Sequence, residues 1–488
     1  MSKKIGFVIT LVGLCALSLF LVNCGSSSSH PSGILYVLTQ AVTAQGGADG
    51  IGNNVSSFAI DLNTGNLTLI NTNASTCPTA ATSSNPEPCG LPLSILLDPT
   101  GATAFVLNQG IPCAQGVTCV DPCGPPSAQC VSVPPTIYPY TVKSDGSLSD
   151  PGTPITLSHP LNAEDTQDDA NLALAMVRDT TGQFVYVINR GSSPPPTNCP
   201  APPVGNFDAC PSISVLAMMP GSTALTLESG SPFYLSKIPT ALSAVEFTPS
   251  GSSTAQEFLF VTNSQDICNP PNCVPPSPHN DNTLSVYSVS SSGVVTEQTA
   301  GGSPYTVPSS DPISVLAVNT TPAGQNLGGV FVYVGSQPSA AGALNIFQMC
   351  TQSGQGNCTT QQVTNETLVP LLPVPPAPGE QPVGMVVDPT SNYLYVVCEQ
   401  SNQVFGYRIT GSTGVLTPLV PASQPSQGSQ PVALVMQPSV NQSGEFLFVS
   451  NSNSSNIGGF TVSTATGAMS NPINVISNPG PSGMAAQQ

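Results

Sequence analysis

One unit recurs seven times along this chain, and one of the seven copies is split between its two ends. The unit is an apolar segment, a turn rich in Pro, Thr, Ser and Gly, and a second apolar segment that closes on an aromatic residue followed by valine. The second segments read ILYVLT, TAFVLN, FVYVIN, FLFVTN, VFVYVG, YLYVVC and FLFVSN, with aromatic anchors at Tyr36, Phe105, Tyr186, Phe260, Tyr333, Tyr395 and Phe448. Self-similarity of this kind decides architecture before any local assignment. The segments are short, β-branched and aromatic, and bounded by turn formers, which predicts strands. After each comes a variable loop and a third alternating segment, such as NTLSVYSV or NQVFGYRI. Several of these run through a Gly-centred turn into a fourth, as in DLNTGNLTLI.

Four antiparallel strands repeated seven times predict an all-β fold, a seven-bladed β-propeller. PSGMAA near the C-terminus matches PVGMVV at Pro382–Val387, and GILYVLT after the leader matches NYLYVVC in the same inner unit. A ring of sheets loses its open edge when its last blade is completed from both termini. The expected domain therefore spans 33–488 and is closed by pairing of N- and C-terminal strands, with residues 481–486 beside 33–39.

The leader sets the compartment. MSKK is a short basic start, Ile5 to Val22 is an apolar run, and LVNCG with four serines follows. This is the layout of a secretory signal peptide over 1–24, with a flexible Ser-rich linker over 25–32. It also resembles a bacterial lipoprotein signal, which implies a lipid on Cys24 and a place in the bacterial cell envelope, periplasmic or surface-exposed, tethered to the membrane. A single spanning anchor is the other reading, since about 18 apolar residues can just cross a bilayer.

Cysteine usage agrees with export. The chain has fifteen cysteines, with Cys15 and Cys24 in the leader. All the others except Cys398 fall in short-range sets within Pro/Asn/Gly-rich loops: Cys77 with Cys89, the quartet Cys113, Cys119, Cys123 and Cys130, Cys199 with Cys210, Cys268 with Cys273, and Cys350 with Cys358. Close pairs in the loops of an exported chain read as disulfides. The quartet allows three connectivities, of which proximity favours Cys113–Cys119 with Cys123–Cys130. Zinc is the rival for the quartet, but the spacing is not a paired C-x-x-C and no histidine lies near. Cys398, in the alternating stretch LYVVCEQ, reads as a buried free thiol.

Charge excludes some partners. Charged residues make up 7% of the chain, against roughly 25% in a typical soluble domain. The net charge is −18, with seven Lys and Arg in all. Such a chain has no basic footprint for nucleic acid, and a monomer is the expected state.

FVTN at Phe260–Asn263, with YVIN, FVLN and FVSN, resembles the YVTN repeat of bacterial surface-exposed propellers. The blade pattern of Pro, a hydrophobic run, DPTG and a hydrophobic segment ending in Tyr-Val resembles the propeller lactonase family, which includes 6-phosphogluconolactonases and muconate-lactonising enzymes. The resemblance implies inner strands that open on Arg and His motifs at the mouth of the channel, the base and cation that lactone hydrolysis needs. The matching positions here are Val383-Gly384, Val432-Ala433, Ser243-Ala244 and Leu174, all apolar or small.

The remaining candidates for chemistry are His159, Arg178, Arg190 and Glu246. Glu246 stands where aligned blades have Leu96, Val386 or Val435, and can face the channel or pair with Lys237. The run SHPLNAEDTQDDAN offers Glu164, Asp165, Asp168 and Asp169 as oxygen ligands for calcium, although it lacks EF-hand spacing and also reads as a solvated acidic loop. No other cofactor is expected. The functional reading is an envelope-anchored binding or scaffold module, whose partner is a glycan, a protein or a small molecule. The alternative is a lactonase-type hydrolase acting in the channel, which requires the four candidates to converge on one pocket.

Overall fold

The computed structural model describes residues 33–487, apart from 41–53, 77–90, 110–134, 158–172, 191–210, 236, 250–251, 253, 264–281, 321–328, 338–340, 352–357, 372–377, 439–443 and 479. The leader, the linker and Cys24 lie outside the described residues.

Seven antiparallel sheets follow one another, each stacking four strands from the inside out, with a fifth short strand sharing the outer position in blades 3 and 4. Blade 1 is Pro481–Gln487, Ile34–Thr39, Asn54–Ile60 and Leu67–Ser75, so its inner strand comes from the C-terminus and the rest from the N-terminus. The register puts Ile34 opposite Gln487 and Val37 opposite Met484. The inner strands of blades 2 to 7 are Leu91–Leu97, Ala173–Arg178, Pro239–Phe247, Pro312–Asn319, Pro382–Val387 and Pro431–Pro438.

Each second strand is buried on both faces, which is why it reads as a continuous apolar run rather than an alternating one. In Ile34–Thr39, Tyr36 and Leu38 pack with Val106 and Tyr140 of blade 2, while Leu35 and Val37 pack with Phe446 and Phe448 of blade 7. All four of these Ile34–Thr39 side chains are sealed from solvent. The core is thus a series of seams between neighbouring blades.

Three of the tyrosine anchors also bolt their seam with a hydrogen bond. Tyr36, Tyr333 and Tyr395 donate to the carbonyls of Gly146 (3.0 Å), Gly414 (3.0 Å) and Gly467 (2.7 Å) in the next blade. These glycines sit in the hairpin turns between third and outer strands with positive φ, at +84°, +67° and +70°.

Among the described cysteines, Cys350 and Cys358 form a disulfide with a Cα–Cα distance of 5.5 Å. It packs on Val363 of a five-residue helix, Thr360–Thr364, that carries a capping box between Thr359 and Gln362. Cys398 is free and buried, and burial pushes its thiol up to about 12. The other predicted pairs fall outside the described residues. Peptide mapping without reduction is expected to link Cys350 to Cys358 and to find Cys398 alkylated only after unfolding; a native, labelled Cys398 contradicts this arrangement.

Candidate functional site

The seven inner strands surround a central channel of about 1280 Å³. Each inner strand carries a register shift just after one residue near its start: Pro481, Pro92, Ala173, Pro239, Pro312, Pro382 and Pro431. A bulge leaves the following residue out of the ladder and re-aims it. That residue lines the channel in every blade. It is aliphatic in five blades, as Leu93, Leu174, Ile313, Val383 and Val432, and hydroxylic in two, as Thr240 and Ser482.

The next position is Gly, Ala or Ser in all seven blades: Gly483, Ser94, Ala175, Ala241, Ser314, Gly384 and Ala433. At the two glycines even a methyl group would be tightly held. A Cβ on Gly384 would meet Leu434 of blade 7 at 3.0 Å, and one on Gly483 would meet the Leu93 carbonyl of blade 2 at 3.0 Å. The third position is aliphatic or Met throughout, including Ile95, Leu242, Val315 and Leu434.

Three of the inner-strand hydroxyls on this wall are engaged across the seams. Thr240 donates to the Pro312 carbonyl (2.7 Å), Ser314 to the Pro382 carbonyl (2.5 Å) and Ser482 to the Pro92 carbonyl (3.1 Å). In each case the acceptor lies at the start of the next inner strand, within its first two residues, so these bonds tie blade to blade. Gln40 adds a bond to the same Pro92 carbonyl (2.9 Å). Amide and hydroxyl groups of Gln430, Ser452, Asn453 and Ser455 gather on the blade 7 side. Among the described residues, no ionisable side chain lines the channel.

Leu174, Val383-Gly384 and Val432-Ala433 occupy the wall as the sequence predicts. Blade 4 differs: its channel residues are Thr240-Ala241, not Ser243-Ala244. The reason is a longer hairpin, since its ladder continues to Phe247 opposite Gln256. Aligning that blade by its turn therefore shifts it by three residues. Ser243, not Glu246, is the equivalent of Leu96, Val386 and Val435, each of which faces the aromatic anchor of its blade.

The candidates for chemistry do not share one site. Glu246 lies at the turn end of its strand, opposite Glu257, and accepts from the Thr180 hydroxyl (3.2 Å). Lys237 precedes the opposite end of that strand. Arg178 is exposed at the turn end of blade 3, paired with Val185, whereas Arg190 follows Asn189, which pairs with Ala173 at the channel-mouth end. The two arginines thus flank opposite ends of one blade. Burial pulls the Arg190 guanidinium below its ordinary value. His159 and the acidic run at Glu164, Asp165, Asp168 and Asp169 lie outside the described residues. Among the described residues, no group of three His, Cys, Asp or Glu is placed to hold a metal.

No protein-family model matches the chain, and neither does any curated protein. Solved structures do. A protein from Lactobacillus plantarum is 12% identical with a TM-score of 0.53, over 93% of this chain and 99% of the other. A candidate 6-phosphogluconolactonase from Bacteroides fragilis is 13% identical with a TM-score of 0.53, over 94% and 99%. The periplasmic gluconolactonase of Pseudomonas aeruginosa is 14% identical with a TM-score of 0.52, over 93% and 98%. At such identities the likeness is one of fold: the chain is a seven-bladed β-propeller structurally similar to the lactonase-type propellers.

Proposed function

We propose that this protein is an extracytoplasmic binding propeller whose channel holds an uncharged ligand, and that it does not hydrolyse phosphorylated sugar lactones. The observation that carries the reading is the channel wall, where aliphatic and small residues stand at every bulge and the inner-strand hydroxyls Thr240, Ser314 and Ser482 donate to the next blade. A phosphate or carboxylate needs a cation or a set of free donors, and lactone hydrolysis needs a base and a stabilised oxyanion. The Cys350–Cys358 disulfide supports an oxidising compartment, and the leader suggests a lipid at Cys24. The net charge of −18 speaks against nucleic acid as a partner. The likeness to a periplasmic gluconolactonase keeps a second reading alive, hydrolysis of an unphosphorylated lactone.

Both readings meet in one experiment on the protein lacking residues 1–24, with and without calcium. Loss of 6-phosphogluconolactone and of gluconolactone is followed against buffer alone, and thermal shifts are read against neutral and anionic glycans and small molecules. The expected result is no protein-dependent loss of the phosphorylated lactone, since removing one oxyanion donor alone typically costs about 10²–10³ in rate. Neutral ligands should raise the melting temperature, and Leu174→Asp, which places a charge on the wall, should abolish that rise. A protein-dependent rate that collapses in His159→Ala, Arg178→Ala or Glu246→Ala would reverse the assignment.

A further inference from the structure

Two of the seven seams carry an acid facing an acid. The seventh residue of an inner strand, counted from the residue before the bulge, reaches across to the next blade. In blade 1 it is Gln487, whose side-chain amide donates to the Gly101 carbonyl of blade 2 (3.2 Å). In blade 2 it is Asp98, which accepts the Gly221 N–H of blade 3 (2.8 Å). Burial pushes the Asp98 carboxyl up, but that bond and those from Thr100 and Thr103 outweigh it and hold it below its ordinary value.

Blades 3 and 6 also place aspartates there, Asp179 and Asp388, 4% and 2% exposed. Both fold their own turns. Asp179 accepts from the Phe184 N–H (3.0 Å) and the Thr181 hydroxyl, and Asp388 from the Asn392 and Tyr393 N–H groups (2.7 and 2.6 Å). Across the seam each acts on a glutamate, Glu257 or Glu445, three residues before the anchor of the next blade. The same position holds Gly33, Ala102, Gln183, Val330 and Asn392 in the other blades. Among the described residues, the acid pair at this position is therefore found at the 3/4 and 6/7 seams.

Neither glutamate is fully satisfied. One oxygen of each, Oε1 of Glu257 and Oε2 of Glu445, is shut off from solvent with no hydrogen-bond partner, and so is the Tyr186 hydroxyl beside the 3/4 pair. Glu257 faces Asp179 and the Thr180 hydroxyl (3.3 Å) from blade 3, with Glu246 and Val289 as its ladder neighbours. Glu445 faces Asp388 and Tyr395 from blade 6, with Pro438 and Val462 beside it. The charged groups acting on either glutamate are acids. Two carboxylates facing each other away from solvent without a cation resist ionising together, so below the raised value one of the pair keeps its proton.

We propose that the Asp179/Glu257 and Asp388/Glu445 pairs are proton-held latches: with the glutamates protonated the blades close at their turn ends, and loss of the protons sets like charges across the 3/4 and 6/7 seams and loosens the ring there. Blades 4 to 6 then form one arc, and blades 7, 1, 2 and 3 the other. Burial first, and the facing aspartate second, push Glu257 up to about 8; the same two causes push Glu445 up to about 7. Protonation thus favours the closed state. The stabilisation is complete below the ordinary glutamate value of about 4.3. It is lost as pH rises, first through 7 at the 6/7 seam and then through 8 at the 3/4 seam.

Hydrogen–deuterium exchange of the full-length protein at about pH 5.5 and pH 9, corrected for intrinsic rates, tests this. Peptides over 178–185 with 256–260, and over 387–394 with 444–448, should exchange about tenfold faster at the higher pH, while those at the 1/2 and 2/3 seams stay unchanged. Glu257→Gln should abolish the response at 3/4 alone, and Glu445→Gln at 6/7 alone. Equal loosening at all seams, pH-independent protection in the wild type, or a response that survives in the Gln variants each overturns the proposal. The wild-type comparison decides even if a variant fails to fold.

Discussion

Deletion of residues 481–488 is expected to remove the cooperative thermal transition or to lower it by on the order of 10 °C or more. The deleted segment is the inner strand of blade 1. It pairs with Ile34–Thr39, and Met484 and Ala486 pack into the seam with blade 7, Ala485 into that with blade 2. Gln487 is 5% exposed and bonds to blade 2, and its carbonyl accepts the Gly33 N–H (3.3 Å). Without this strand, backbone groups along Ile34–Thr39 lose their partners in a region that is otherwise sealed. Each such orphan costs about 1–3 kcal/mol, so a few of them rival the ~5–15 kcal/mol that holds a typical fold together. Circular dichroism and calorimetric melts of the full and shortened chains check this; superimposable curves would sink the closure mechanism.

Gly414→Val should destabilise by roughly 3–5 kcal/mol, among the largest effects of any single substitution. Gly414 has φ +67°, a conformation a β-branched residue resists, and an added Cβ would overlap the ring of Phe331, which is fully buried. Its carbonyl also accepts the Tyr333 hydroxyl, so backbone movement that relieves the clash strands a buried donor. Gly411, three residues away, has open space where its Cβ would be. Gly411→Ala should therefore stay within about 0.5 kcal/mol of wild type. Urea titrations of the two variants measure the difference, and equal midpoints would show that the seam tolerates far more than its packing suggests.

The parts of the fold visible in the sequence are those buried on both faces. The FLFV of FLFVTN and the YLYVV of YLYVVC are apolar throughout because a blade packs on each side, and that demand leaves a signature strong enough to count seven copies. The inner strands leave a fainter one. One of their edges borders the channel, so residues such as those in PTALSAV or PSGMAA satisfy the fold with little hydrophobicity. Their register had to be inferred from the turns, and the longer hairpin of blade 4 displaced Glu246 by three residues.

The aliphatic side chains at the described wall were legible at Leu174, Val383 and Val432. The ring of small residues behind them was not, because crowding at an axis is a property of seven strands together and of none alone. The facing acids at the 3/4 and 6/7 seams had a written signal, EFLF recurring in the two blades that follow RDTTG and DPTSN. Its meaning depends on knowing that the strand-end residue reaches into the neighbouring blade.

The split blade bears on how the ring relates to its gene. Ile34 and Gln487 sit side by side on adjacent antiparallel strands, a separation that a two-residue hairpin turn spans. A chain rewired through such a turn, and cut instead between any two blades, would encode the same set of neighbours with seven unbroken meanders. Where the polypeptide starts is then a choice separable from the architecture. The split makes one non-covalent ladder the junction on which the circle depends, and it brings Ile34 and Gln487 side by side at the same end of blade 1.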